Sequence, residues 1–107
     1  MKVIYISGPM TGQPGLNFTA FREAANELRT RGFVVINPAD LEQPDKEWSA
    51  CMRVDIAELL KADTIAVLEG WQKSRGARLE VHIARELGME VVCAKSLEAI
   101  EEVTNVV

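Results

Sequence analysis

Two carboxylates in this chain occupy positions where a carboxylate is costly. Set on a helix at about 100° per residue, the run from Arg75 to Leu87 puts Gly76, Ala77, Ile83, Ala84 and Leu87 within about 60° of one line. Glu80 lies near the centre of that stripe, while Arg78, His82 and Arg85 face the opposite way. In the preceding helical run, Asp55 shares a stripe with Trp48, Cys51, Met52, Leu59 and Ala62, with Arg53 and Ala57 behind. An acid among apolar residues must be hydrogen-bonded or stand at the edge of a cavity. Glu80 therefore either satisfies loop amides or points into a cleft as a functional group. Its place in the first turns of a helix after a strand favours the cleft, because ligands of open α/β sheets bind there. Asp55 is the second candidate, against the plainer reading of a solvated acid on a helix that is apolar nearly all round.

Tyr5 is the third. It lies near the end of an apolar strand, either as an ordinary strand aromatic or with its hydroxyl reaching the same crevice. If the three converge, the site holds two carboxylates and a phenol in a partly apolar pocket. Such a set suits chemistry at an anomeric carbon: one carboxylate attacks or shields a developing oxocarbenium ion and the other handles the proton. A phenol donating to the attacking carboxylate fixes its rotamer and keeps it ionised.

The elements that must position these groups alternate. Lys2 to Ile6 reads as a central strand with both faces covered. It ends in Ser7-Gly8-Pro9-Met10-Thr11-Gly12, then Pro14-Gly15, a loop longer than the usual strand-to-helix connection. Its glycines match neither the dinucleotide fingerprint nor a P-loop, and they either build a ligand cradle or simply turn the chain. Asn17 reads as the N-cap of a helix reaching Arg31 and stopped by Gly32. Phe33 to Ile36 makes the second strand, closed by Asn37-Pro38. Leu41 to Lys46 reads as polar surface loop. Asp45 or Ser49 caps the Asp55 helix, and Asp63 makes the turn into a third strand, Thr64 to Leu68. The Glu80 helix ends at Gly88, followed by a fourth strand from Glu90 to Ala94. Ser96 caps a short last helix through about Val103, and Val106 and Val107 are either a frayed end or a fifth edge pairing. Strands alternating with helices predict a parallel sheet with right-handed crossovers. The expected fold is a flavodoxin-like, Rossmann-like three-layer sandwich of strand order 2-1-3-4, in which the Ser7 and Gly70 loops face each other across one crevice.

The length of 107 residues suits a single domain over 1–107, able to bury a core without disulfides or metal. A net charge of −4 argues against binding nucleic acid polymers, which need a basic face, but leaves room for a small phosphorylated ligand. No apolar run approaches a membrane span. With no charged-then-apolar leader, the expected compartment is the cytoplasm. Cys51 and Cys93 lie outside any metal-ligand spacing and read as buried thiols. No metal or redox cofactor is called for, and His82, on the outward face, is not a candidate base or ligand.

The residues also carry a resemblance. The pattern Tyr5-Ile6-Ser7-Gly8-Pro9, then Arg53-Val54-Asp55 ahead of a strand leading to Gly70, then Ser74-Arg75-Gly76 with Leu79-Glu80, is similar to the uncharacterised phage and bacterial family DUF4406 over nearly the whole chain. That family resembles the nucleoside 2-deoxyribosyltransferase superfamily, which also contains 2'-deoxynucleoside 5'-phosphate N-hydrolases. This second likeness is limited to short motifs. It implies that Glu80 is the nucleophile that attacks C1', that Tyr5 orients it, and that Asp55 contacts the sugar and assists departure of the base. In the transferases the place six before the nucleophile is an acid; here it is Ser74, as in the monophosphate hydrolases, where a serine binds the 5'-phosphate. Ser74 can present its hydroxyl and the amides of Gly76 and Ala77 at a helix N-terminus, with Lys73 and Arg75 beside it; alternatively it is only an N-cap beside solvated cations. By position, Ser7, Gly8, Pro9 and Met10 line the sugar or base side, and Asn37, Trp48 or Trp71 either covers a base or packs.

The implied function is hydrolysis of the N-glycosidic bond of a 2'-deoxynucleoside 5'-monophosphate, with deoxyribosyl transfer and non-catalytic nucleotide binding as the alternatives. The resemblance also implies a homodimer. A phosphoacceptor domain is disfavoured because Leu68-Glu69-Gly70 stands where an aspartate is required, and a flavin carrier because the first loop lacks a dense phosphate cradle.

Overall fold

Three helices flank a four-stranded parallel sheet in a computed structural model that describes residues 2–43 and 46–101. The strands are β1 (Val3–Ser7), β2 (Val34–Ile36), β3 (Thr64–Val67) and β4 (Glu90–Cys93), and the helices α1 (Phe18–Thr30), α2 (Trp48–Leu59) and α3 (Arg75–Glu86). The sheet order is β2-β1-β3-β4 with every pairing parallel, as the alternation of strand and helix predicts.

Because side chains alternate across a strand, the two sheet faces carry separate cores. Ile4, Ile6, Val35, Ala66 and Val92 pack with Phe21, Ala25 and Leu28 of α1. Tyr5, Ile65, Val67 and Val91 pack with Leu59 of α2 and Val81 and Ala84 of α3. The parity of β1 thus sends Tyr5 and Ser7 to the α2–α3 face. β1 is clamped by Val35 and Ile36 on one side and by Ile65 and Ala66 on the other, so its carboxyl end is the rigid centre of the crevice.

Several boundaries differ from the sequence expectation. α1 does start after Asn17, but Asn17 has a left-handed backbone (φ 61°) and makes no side-chain cap. Gly15, Leu16 and Asn17 are left-handed in succession, which turns the side chain away from the first amides. Ser49 lies inside α2 and donates to Glu47 Oε1 at 2.6 Å instead of capping the helix, which begins after Glu47. Asp45 lies outside the described residues. Asp63 accepts from the Val3 amide at 2.9 Å, joining the entry of β3 to the start of β1. Leu87 is 59% exposed, so the apolar stripe of α3 ends one turn early.

The last element is the largest correction. Instead of a helix from Ser96, the chain makes a tight turn and comes back antiparallel to β4, with Ala99 bridged to Val92. Cys93 donates its amide to Glu98 at 2.9 Å, and the Ile100 amide donates to Val91 at 2.8 Å. Ser96 Oγ accepts from the Glu98 amide, capping this turn, and Leu97 folds against the α1-side core. Packing of the partly buried Leu97 and pairing along an open strand edge override the weak helical pattern of so short a segment. Val103, Val106 and Val107 fall outside the described residues. Cys51 and Cys93 are thiols, half-exposed rather than buried. No helix among the described residues is long and apolar enough to cross a membrane.

Candidate active site

Glu80 is buried at 5% exposure, one turn into α3, and its carboxylate meets β1. The Tyr5 hydroxyl donates to Oε2 at 2.5 Å, and the Ser7 hydroxyl donates to Oε1 at 2.7 Å. Tyr5 and Ser7 are two apart on one strand, so the pleat aims both at the same helix. Each carboxylate oxygen keeps a lone pair beyond the one its hydroxyl partner uses. Burial pushes the Glu80 carboxyl up to about 7, opposed by the Tyr5 and Ser7 hydroxyls, with the charge of Asp55 adding to the rise. Tyr5 is held far above the usual phenol range by burial and by the charges of Glu80 and Asp55, so it is a donor at any working pH.

Asp55 lies half-buried on α2. Its carboxyl is raised by burial and partly restored by Gln43, whose Nε2 donates to Oδ1 at 2.9 Å. Its charge acts on both Tyr5 and Glu80, which places it in the same electrostatic neighbourhood. Gln43 was invisible in the sequence: a polar residue in a polar loop has no periodicity, and its role depends on where that loop lies over α2.

Ser74 is the N-cap of α3, its Oγ accepting from the Ala77 amide at 3.2 Å. That bond withdraws the Ala77 amide from any ligand, while the Ser74 hydroxyl proton remains available. Gly76 faces α2 at close range: a Cβ there would stand 3.1 Å from Met52 Sδ and 3.8 Å from Trp48 Nε1. Arg75 is exposed, and its guanidinium lies 3.6 Å from the centroid of the Trp48 ring, covering one face of it.

The first and third loops meet as the strand order requires. A Cβ on Gly8 would fall 2.8 Å from Leu68 Cβ, and one on Gly70 would fall 3.7 Å from Pro9 Cγ. Gly8 is thus required by close approach and not by a turn. Met10 packs its side chain against the α1-side core, away from Glu80, and its carbonyl accepts from the Gln13 amide. Asn37 is buried at the carboxyl end of β2, where Oδ1 accepts from the Ala39 amide. Trp71 packs on the α2–α3 core. The structure therefore brings Tyr5, Ser7 and Glu80 into direct contact, with Asp55 nearby, and it sets Met10 apart. Among the described residues no group of three His, Cys, Asp or Glu side chains is placed to hold a metal ion.

A doubly wound sheet with a hydroxyl-clamped carboxylate at the carboxyl ends of its central strands defines an α/β protein with a candidate acid site. Residues 2–93 match the family model described as "Domain of unknown function (DUF4406)", and the chain belongs to that family. No curated protein matches it. Among solved structures it is similar to the "2-desoxiribosyltransferase from Leishmania mexicana", with a TM-score of 0.68 at 18% identity over 87% of this chain. The chain spans 63% of that protein's length, and at this identity the likeness is one of fold.

Proposed function

We propose that this protein cleaves the N-glycosidic bond of a 2'-deoxynucleoside 5'-monophosphate, with Glu80 as nucleophile and water as the usual acceptor. The observation that carries the reading is the Glu80 carboxylate held by two hydroxyls. Tyr5 and Ser7 fix its rotamer and favour its ionised form, while burial leaves it poorly solvated and reactive toward an electrophilic C1'. Attack forms a glycosyl ester on Glu80 and expels the base; water then releases the sugar phosphate. Asp55, raised by its own burial, is the group suited to protonate the departing base and later to take the proton from water. Ser74, with its hydroxyl at the first turn of α3, suits the 5'-phosphate. Ser7, Gly8 and Pro9 border the sugar in this reading, with Met10 contributing backbone at most. Neither step calls for a metal or redox cofactor. A homodimer and a cytoplasmic setting accompany the proposal.

Deoxyribosyl transfer to a second base is the close variant, favoured by the name of the similar Leishmania mexicana structure. It uses the same intermediate with a base in place of water.

The test is chromatography of a panel of deoxynucleosides and their 5'-monophosphates after incubation with wild type and with Glu80→Gln, with and without an added free base. Free base released by the wild type alone supports the proposal, and exchange only when a second base is present supports the transferase. No release from any panel member, with a ligand still raising the melting temperature, replaces both with a non-catalytic nucleotide-binding module.

A further inference from the structure

We propose that α3 carries a second ligand site on the side away from Glu80, built to take a nucleoside polyphosphate. A recess of about 400 Å³ is lined by Trp71, Arg78, Val81, His82, Arg85 and Glu86. That volume lies within the range of small-molecule sites. Its walls are chemically one-sided: Arg78, His82 and Arg85 fall at i, i+4 and i+7 on one helical face, against the single acid Glu86. The two guanidiniums of this wall stand on a chain whose net charge is −4.

Neither arginine is in an ion pair among the described residues. Each is held instead by one backbone carbonyl. An Arg78 Nη donates to Gln72 at 3.4 Å and an Arg85 Nη to Ile100 at 3.2 Å, so both guanidiniums are placed while most of their donors stay available. A guanidinium fork matches phosphate oxygens two at a time. Seven helical residues put about 10 Å of backbone rise between Arg78 and Arg85, so the two forks are separate donor sets that a ligand with more than one phosphate can engage together. Trp71 supplies an aromatic wall for a planar base, and Val81, 1% exposed, supplies an apolar floor.

The site is separate from the crevice. Arg78 and Arg85 lie about 140–160° around α3 from Glu80, so a ligand that fills the recess does not touch the buried carboxylate. The inference stands whether or not Glu80 is catalytic.

Calorimetry on the full chain tests it, with dATP, inorganic triphosphate and adenosine as the probes. The Glu80→Gln, Ser74→Asp double variant serves as background: its crevice repels phosphates yet still admits a nucleoside, so binding in the recess is read as the part that Arg78→Glu removes. In that background dATP binds and triphosphate binds more weakly, while the adenosine affinity, which the crevice supplies, is unchanged by Arg78→Glu. Adding Arg78→Glu weakens dATP by about tenfold or more; Arg78 is exposed, so the melting temperature stays where it was, and adding Arg85→Gln weakens binding further. Undetectable dATP binding at millimolar concentration overturns the proposal, as does binding that Arg78→Glu leaves unchanged. Equal affinity for triphosphate and dATP removes the base from the reading and overturns the nucleotide assignment.

Discussion

Tyr5 and Glu80 are 75 residues apart in sequence, yet the phenol of one donates to the carboxylate of the other at 2.5 Å inside the core. The bond joins the central strand to the helix two crossovers later, so the sheet order itself decides whether it can form. It also sets the chemistry, because a buried carboxylate with hydroxyl donors is ionised more readily than one without.

Replacing Tyr5 by Phe removes that donor while keeping the ring in the core. A hydrogen bond to a charged group contributes about 1.5–3 kcal/mol, so the Glu80 carboxyl rises by roughly one to two pH units. In the proposed reaction kcat/KM of the wild type climbs with pH through about 7 as Glu80 ionises. The Tyr5→Phe profile is displaced to higher pH, with a lower rate at pH 7. An unshifted acid limb rules out Glu80 as the group being read.

Glu80→Gln has an opposite effect on stability. The Glu80 carboxyl lies at about 7 in the fold against 4.5 unfolded, so the folded state holds the proton more tightly. Wild-type stability is therefore greatest below the unfolded value and declines as pH rises toward 7, by about 3 kcal/mol in all. A neutral glutamine escapes that loss and can still bond both hydroxyls. Glu80→Gln should melt on the order of 10 °C above wild type at pH 8, with the gap closing near pH 4.5. A gap independent of pH means that burial of the charge is not the cause.

Gly8→Ala tests the contact between the first and third loops. The new methyl meets Leu68 Cβ at 2.8 Å, an atom fixed to the backbone of the neighbouring loop, so the two loops must part. Overpacking of this kind costs about 1–3 kcal/mol and lowers the melting temperature by several degrees. Unchanged melting shows that the loops separate freely.

Ser74→Asp separates capping from ligand binding. Aspartate caps a helix as well as serine does, so α3 and the melting temperature are preserved. The added charge repels a 5'-phosphate, and binding of a deoxynucleoside monophosphate falls while that of the unphosphorylated nucleoside is spared. Equal loss for both ligands, measured by calorimetry, removes Ser74 from the phosphate role.

The parallel sheet, its order and the burial of Glu80 were legible in the chain because they rest on periodicity: apolar runs at strand spacing, helical stripes, and one acid where the stripe demands an apolar residue. Tyr5 and Ser7 also declare in sequence that they share a face. What periodicity does not carry is which distant group meets them. The double clamp on Glu80, the Gln43 amide on Asp55, the pressure of Leu68 on Gly8 and the stacking of Arg75 on Trp48 depend on crossover geometry and loop position. The turn at Ser96 shows the same limit, since its few residues have too little helical preference to resist an open strand edge and the packing of Leu97 on the α1-side core. Local pattern decides which residues are buried. Only packing across the sheet decides what each buried polar group is bonded to, and in this protein that bonding makes the candidate site.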